Sequence, residues 1–175
     1  MVKQVSALAL LAALACGEAV PIQQPTGEPA QLVDGIRSLA SPAEVKQRPE
    51  FARTQWVVIE DSKTRKPSKA GRFDDYVIMT SDYKLGGVNG SLRLEFLNGQ
   101  LMATWFYPSD YRKCLEELAA TGVSFPPKSS DSAGPRISRG STTIRLGKDY
   151  EGHRYIAWED SRLVDEMNQW LLRNS

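Results

Sequence analysis

The segment 92–107 constrains the fold of this chain more than any other, because it specifies a β-hairpin and its turn. Two stretches rich in apolar residues, 92–97 and 100–107, flank the pair Asn98-Gly99. Asn-Gly is the preferred pair for a two-residue type I′ turn, since both positions accept positive φ. Such a turn fixes the register of the two strands. It predicts three apolar cross-strand pairs on one buried face: Phe96 with Leu101, Leu94 with Ala103, and Leu92 with Trp105.

The remaining sequence predicts short strands and helices. Runs of β-branched and aromatic residues predict strands at 54–59, 76–80, 141–146 and 153–158. Helical spacing predicts helical pieces within 29–48, one of which begins at the capping box Ser41-Pro42-Ala43-Glu44. Capping residues also predict a helix that begins after Ser109 and ends at Gly122, and a final helix capped by Asp160 or Ser161. The segment 125–140 reads as a surface loop.

The order of these elements indicates an α+β fold. A strand-turn-strand-helix pattern occurs at 92–118 and again at 141–171, which suggests two such units. We therefore predict one globular α+β domain over 29–175, built as an antiparallel sheet of about six strands with helices packed on one face.

The first nineteen residues are typical of a secretory signal peptide. Lys3 supplies a positive start, and 5–15 is an almost unbroken apolar run that is too short to span a bilayer. Cleavage is expected either before Cys16 or after Ala19. The stretch 20–28 contains proline, glycine and polar residues and is expected to be a flexible tether.

The cysteine at the end of the leader favours a lipoprotein. Ala13-Leu14-Ala15-Cys16 resembles a bacterial lipobox, in which the cysteine becomes the first mature residue and carries lipid. Gly17 in the second mature position is compatible, by that resemblance, with transport to the outer membrane. Ordinary cleavage would instead release a soluble periplasmic or secreted protein. With Cys16 acylated or removed, Cys114 is the only thiol left, and its helical surroundings predict core packing.

The distribution of charged residues bears on two kinds of ligand, nucleic acid and an anionic headgroup. The chain has 22 basic and 21 acidic residues, and this balance argues against nucleic acid as the main ligand. The loop 61–72 holds a basic cluster, which an anionic headgroup would suit. Because Asp74 and Asp75 follow directly, we favour a solvated loop over an anion-facing patch. The candidate patch residues are Lys63, Arg65, Lys66, Lys69 and Arg72.

No arrangement of residues in the sequence indicates catalysis. His153 is the only histidine, no Cys-x-x-Cys is present, and no serine lies in a Gly-x-Ser-x-Gly motif. The adjacent acids Glu159 and Asp160 read as helix capping rather than as a glycosidase pair. We therefore predict no catalytic residues, no metal site and no cofactor. Aromatic residues on the predicted strands would either fill the core or bind a peptide, glycan or protein.

The hairpin also carries one likeness to a known group. Its apolar pattern Leu92-x-Leu94-x-Phe96-x-x-Gly99-x-Leu101, followed by Pro108, resembles the hairpin of small outer-membrane lipoproteins in which helices precede a short antiparallel sheet. The glycine-rich helix-loop-helix motif of that group is absent, so we assign no family.

Together these features indicate an exported bacterial cell-envelope protein. The leading hypothesis is a lipoprotein, held at the outer membrane by lipid on Cys16, that binds or scaffolds an envelope protein or glycan without catalysis. The alternative is a soluble periplasmic or secreted inhibitor, and a hydrolase ranks third.

Overall fold

The computed structural model describes residues 27–64, 74–126 and 134–174. In this part of the chain seven strands form one antiparallel sheet, in the order β1-β2-β3-β4-β7-β6-β5. The strands are β1 Val57–Asp61, β2 Asp75–Leu85, β3 Val88–Leu97, β4 Gln100–Pro108, β5 Arg136–Arg139, β6 Thr142–Lys148 and β7 Arg154–Asp160. The signal peptide and Cys16 lie outside the described residues, as does the tether up to residue 26.

Three α-helices accompany the sheet in these described ranges: α1 Pro42–Lys46, α2 Tyr111–Ala120 and α3 Ser161–Asn174. The capping box predicted at the start of α1 is confirmed, since Ser41 and Glu44 each bond the other's backbone N–H. The N-cap of α2 is Asp110 rather than Ser109, because the Asp110 carboxylate accepts the N–H of Lys113 at 3.0 Å. Gly122 has φ of +82° just beyond the C-terminus of α2.

The mixed α+β class is therefore correct, but the sheet has one strand more than predicted. The extra strand is β5, which lies inside the segment expected to be a loop. Its sequence is polar because it forms an edge of the sheet, where charged side chains are tolerated and discourage pairing with other chains. Gly140, at φ of +59°, makes the turn that returns the chain into β6.

The β3–β4 hairpin confirms the predicted turn and corrects the predicted register. Asn98 and Gly99 both have positive φ, 51° and 76°, as a type I′ turn requires. Phe96 lies opposite Leu101 as expected, but the pairing then shifts by one residue. A β-bulge at Met102 leaves that residue without a partner in the register.

Beyond the bulge every residue of β4 points to the face opposite to the one that the turn predicts. Leu94 lies opposite Thr104, and Leu92 opposite Phe106, so two of the three predicted pairs are wrong. The predicted core position of Trp105 is wrong for the same reason, because Trp105 lies opposite Arg93 on the second face of the sheet. The physical cause is the N-terminal segment, which binds the backbone of Leu101: its N–H donates to Ala40 O at 2.8 Å, and its carbonyl accepts from Leu39 N–H at 2.9 Å.

Two clusters hold most of the buried apolar residues in the described part of the chain. The larger one joins the N-terminal segment, the first face of the sheet and α2, including Cys114 and Leu118. The smaller one joins Leu97 and Met102 to Leu163 of α3. Because α2 and α3 contribute to different clusters, the predicted packing of the helices on one face is not confirmed.

Candidate binding face

The second face of the sheet carries charged and aromatic side chains where the first face carries core residues. One row crosses four strands through Arg93, Trp105, Ala157 and Arg145. Ala157 has a small side chain and is fully buried, so the larger side chains on either side of it approach each other over the strand. This row is the centre of the candidate site.

Two guanidinium groups stack on the indole of Trp105. The Cζ of Arg93 lies 5.0 Å from the ring centroid, and the Cζ of Arg145 lies 4.7 Å from it. Both distances are in the range of cation–π attraction, which is strongest for tryptophan. Their side chains are 27% and 22% exposed, so each arginine is partly accessible from solvent.

Tyr155 extends this stack along the sheet. Its ring centroid is 4.5 Å from that of Trp105 and 5.7 Å from that of Tyr107, and the Arg145 guanidinium lies over it at 5.1 Å. Gly147, opposite Tyr155 on β6, leaves the room for the ring: a Cβ at this position would lie 2.3 Å from Tyr155 Cζ. The stack therefore depends on a glycine in the neighbouring strand.

Two carboxylates complete the face and differ in their partners. Glu159 Oε1 is 2.7 Å from Arg145 Nε, and the Arg145 guanidinium also donates to the Tyr155 hydroxyl. Burial tends to lower the pKa of Arg145, but Glu159 and Tyr155 raise it, and the net shift is upward. Glu95 lies 3.8 Å from Arg93 Nη2, and burial raises the pKa of this carboxyl despite that charge.

Two open grooves run along this part of the molecule. We call the first the basic groove; its volume is about 790 Å³, and its lining includes Arg136, Arg145, Lys148 and Arg154. The second, the aromatic groove, measures about 890 Å³ and is lined by Trp105 and Tyr107 among others. Tyr155 borders both grooves.

The β6–β7 loop gathers the only cluster with metal-ligand chemistry in the described ranges. His153 Nδ1 is 3.3 Å from a carboxylate oxygen of Asp149 and 3.3 Å from one of Glu151. The Asp149 carboxylate also accepts the backbone N–H groups of Glu151 and His153, at 3.0 and 2.8 Å. Sequence reasoning weighed His153 by itself and missed this cluster. The three residues lie in one turn at the surface, and the contacts that they make with one another account for the cluster.

The sequence singled out one lipidation residue and five residues of a basic patch as candidate site residues. Cys16, Arg65, Lys66, Lys69 and Arg72 lie outside the described residues. Lys63 is exposed and lies 3.8 Å from Asp74, so this member of the basic patch has an acidic neighbour. Cys114 is 1% exposed in the core.

The arginines of the candidate face were missed from the sequence. The alternation of the hairpin puts Arg93 on the face away from the core, but no residue near Arg145 in the sequence indicates that it lies over the same indole, because that contact depends on the pairing of β4 with β7. Glu159 and Asp160 point to opposite faces of β7, and Asp160 accepts the N–H of Arg162 at 3.1 Å at the start of α3, which agrees with the predicted capping role.

A scan of the sequence against protein-family models and a search of curated proteins both found no match. In the described ranges, no helix has both the length and the apolar character needed to cross a membrane.

Proposed function

We propose that this chain is an exported cell-envelope protein, held at the membrane by lipid on Cys16, that binds another envelope component through the second face of its sheet and catalyses no reaction. The observation that carries the binding role is the stack of Arg93, Trp105 and Arg145. Arginine and tryptophan are enriched where proteins bind one another, because they combine apolar area with directed hydrogen bonds.

Two unpartnered donors support this role. Among the described residues three buried side-chain donors have no hydrogen-bond partner: Trp105 Nε1 and Arg93 Nε on this face, and Trp56 Nε1 beside Phe51. A buried donor without an acceptor costs about 1–3 kcal/mol. The side chains of Trp105 and Arg93 line the aromatic groove. Such a cost at one groove fits a surface selected for binding rather than for stability.

The surroundings of His153 support a role without catalysis. Its side chain pairs only with Asp149 and Glu151 in the part of the chain that the structure describes. Neither partner is a nucleophile activated by the imidazole in the manner of a hydrolase triad.

Site-specific photocrosslinking tests the binding face. A photoreactive phenylalanine analogue at Ser91, which lines the aromatic groove, is expected to crosslink the full-length lipidated protein to a discrete component in its native envelope. The matched control places the same group at the exposed Glu116 of α2, on a side chain that is 66% exposed. The crosslink from position 91 should disappear when Arg93 and Arg145 are both changed to alanine. Crosslinks of equal yield from both positions would contradict the proposal.

Intact mass of the mature protein tests the anchor. A diacylated or triacylated chain that begins at Cys16 is expected. An unmodified chain that begins at Val20 would exclude the lipid anchor and favour the alternative, a freely diffusing inhibitor that uses the same face.

A further inference from the structure

We propose that β1 is a self-association strand, through which two copies of this chain pair edge to edge in antiparallel fashion and join their seven-stranded sheets into one. This inference goes beyond the proposed binding function and does not depend on the lipid anchor. It starts from the order of the strands, which places β1 at one edge of the sheet and β5 at the other. In the described part of the chain, each of these two strands is paired on one side only.

The edge formed by β1 exposes a run of three apolar side chains. Val57, Val58 and Ile59 are 63%, 52% and 53% exposed, and no other strand of the described sheet exposes such a run. β-branched residues favour extended backbone. An exposed apolar edge strand is a template for pairing with another chain, because its outward N–H and C=O groups have no partner strand. The edge therefore offers both apolar area and directed hydrogen bonds to a second strand.

The opposite edge is built differently. β5 has an arginine at each end, Arg136 and Arg139, and its apolar residue Ile137 packs against the larger core cluster. Arg139 also donates to the carbonyl of Gly122, which holds this edge to the end of α2. Charged side chains on an edge strand discourage pairing. Pairing of β1 with β5 would produce an open chain of molecules, whereas pairing of β1 with β1 closes after two copies. The difference between the edges therefore favours a closed dimer.

The sequence of β1 suits antiparallel self-pairing centred on Val58. In that register Val58 lies opposite its own copy, and Val57 of each chain lies opposite Ile59 of the other, so apolar side chains meet. Val57 lies opposite Met79 on the second face, and Ile59 lines the aromatic groove on the same face. A parallel arrangement would instead oppose Glu60 to itself, and like charges directly opposite each other are destabilising.

The length of the edge limits the strength of the dimer. β1 has five residues, and a β-bulge interrupts its pairing with β2 between Val58 and Glu60. An edge of this length spans about 17 Å. It offers less surface than the about 1,200–2,000 Å² that stable interfaces bury. We therefore expect a dimer that forms and dissociates with protein concentration.

This pairing would extend the candidate binding face. Antiparallel strands of two identical chains in one sheet are related by a two-fold axis perpendicular to the sheet, so the second faces of both copies lie on the same side. The aromatic groove reaches the β1 edge at Ile59. The grooves of the two copies therefore approach each other across the axis, and the dimer presents two equivalent grooves side by side.

Disulfide trapping on the purified full-length protein tests the pairing. Val58→Cys should form a covalent dimer under mild oxidation, because residues directly opposite in antiparallel strands have Cβ atoms about 4.5–5.5 Å apart, close to the range that a disulfide bridges. The matched control is Tyr150→Cys, at a side chain that is 97% exposed and therefore collides freely. The unsubstituted protein gives the background from Cys16 and Cys114. Equal yields of dimer from positions 58 and 150 would overturn the inference.

A charge on the edge should prevent the pairing and leave the fold intact. Val57→Lys in the Val58→Cys protein should lower the yield of trapped dimer by about fivefold, because the two-fold axis brings the substituted position into the interface twice. Val57→Thr is the matched control, since it keeps the β-branched shape and should change the yield less than about twofold. Far-UV circular dichroism verifies that both variants are folded. The same yield in both variants would count against a paired edge.

Amine crosslinking of the unsubstituted protein distinguishes closure from polymerisation. A single dimer band that strengthens with protein concentration is expected. A ladder of larger species would indicate pairing of β1 with β5 and would overturn the closed dimer. A protein that sediments as a monomer at the highest attainable concentration would overturn it as well, whatever ligand the second face binds.

Discussion

The hydroxyl of Ser38 donates a hydrogen bond of 2.6 Å to the carboxylate of Asp160, across 122 positions of the chain. Asp160 is fully buried, and its second partner is the Arg162 guanidinium at 2.7 and 2.9 Å. Ser38 in turn accepts the backbone N–H of Ala30 at 2.8 Å. One buried carboxylate therefore joins the N-terminal segment to the junction of β7 and α3.

Asp160→Asn should destabilise the protein by about 3 kcal/mol, because it breaks a buried charged network and removes the carboxylate that holds the Arg162 guanidinium. Ser38→Ala should cost about 2–4 kcal/mol, since it removes a hydrogen bond to a charged group and leaves the buried N–H of Ala30 without its acceptor. Urea denaturation of both variants and of the double variant gives the free energy of coupling between Ser38 and Asp160. Strictly additive losses would show that the two residues do not act together.

The same network predicts a dependence of stability on pH. Burial acts to raise the pKa of Asp160, but hydrogen bonds from Arg162 and Ser38 outweigh it and hold the pKa below its ordinary value. Because the folded pKa is depressed, this stabilisation is complete above the unfolded value of about 3.9 and is lost as pH falls through the folded pKa. Unfolding free energies measured from pH 7 to pH 2 should fall less steeply for Asp160→Asn than for the unsubstituted protein.

Glu95→Gln should raise the melting temperature at pH 7. Burial raises the pKa of Glu95 in the fold, with Arg93 opposing, so the ionised carboxylate disfavours folding at neutral pH. This penalty vanishes as pH falls below the unfolded value of about 4.3, and the two proteins should then converge in stability. The matched variant Glu159→Gln removes the charge beside Arg145 and should destabilise by about 1–3 kcal/mol. Equal effects of the two substitutions would contradict this assignment.

Gly147→Ala should disturb the stack on the second face. The new methyl group would lie 2.3 Å from Tyr155 Cζ, so the ring must move away from Trp105 and Arg145, at a cost of about 1–3 kcal/mol. Near-UV circular dichroism reports the altered ring contacts. Gly87→Ala is the control, because its methyl group would meet only the ends of flexible side chains, with Glu117 Oε1 nearest at 3.2 Å. A spectrum unchanged in Gly147→Ala would contradict the stacked arrangement.

Cys114 should resist thiol reagents in the folded protein. It is 1% exposed, and burial, with the nearby charges of Glu117 and Asp110, raises its pKa to about 11. The thiolate is the reactive form, so little of it is present at neutral pH. A Cys16→Ser variant makes Cys114 the only thiol, and Ellman's reagent should label it only after denaturation. Rapid labelling at pH 7 would show that the surrounding core opens.

Local chemistry predicted much of the fold. The Asn98-Gly99 turn, the Ser41 cap and the pairing of β6 with β7 follow from residues that lie close together in the sequence. The bulge at Met102 does not, because Leu101 to Ala103 are apolar and buried on both faces, and the residues that bind Leu101 lie some 60 positions earlier. The alternation of apolar and polar residues cannot define the register of a strand where both of its faces are covered.

The candidate site was harder to predict than the fold, for a related reason. Arg93 and Arg145 approach the same indole only because β4 pairs with β7, which joins the two halves of the sheet. In the sequence each arginine reads as an ordinary solvent-facing residue of a separate hairpin. The site is a property of the pairing between hairpins and carries no local motif.

The bulge at Met102 means that β4 carries one residue more than β3 between the turn and Trp105. Straightening the strand with every residue kept would slip all that follows by one position and exchange its two faces, sending Phe106 outward and Trp105 inward. Deleting Met102 would remove the surplus residue and the bulge together, and Trp105 would stay opposite Arg93. Loss of one residue here therefore preserves the register, whereas an extra residue exchanges the core for the second face, and relatives should show gaps in this stretch more readily than insertions.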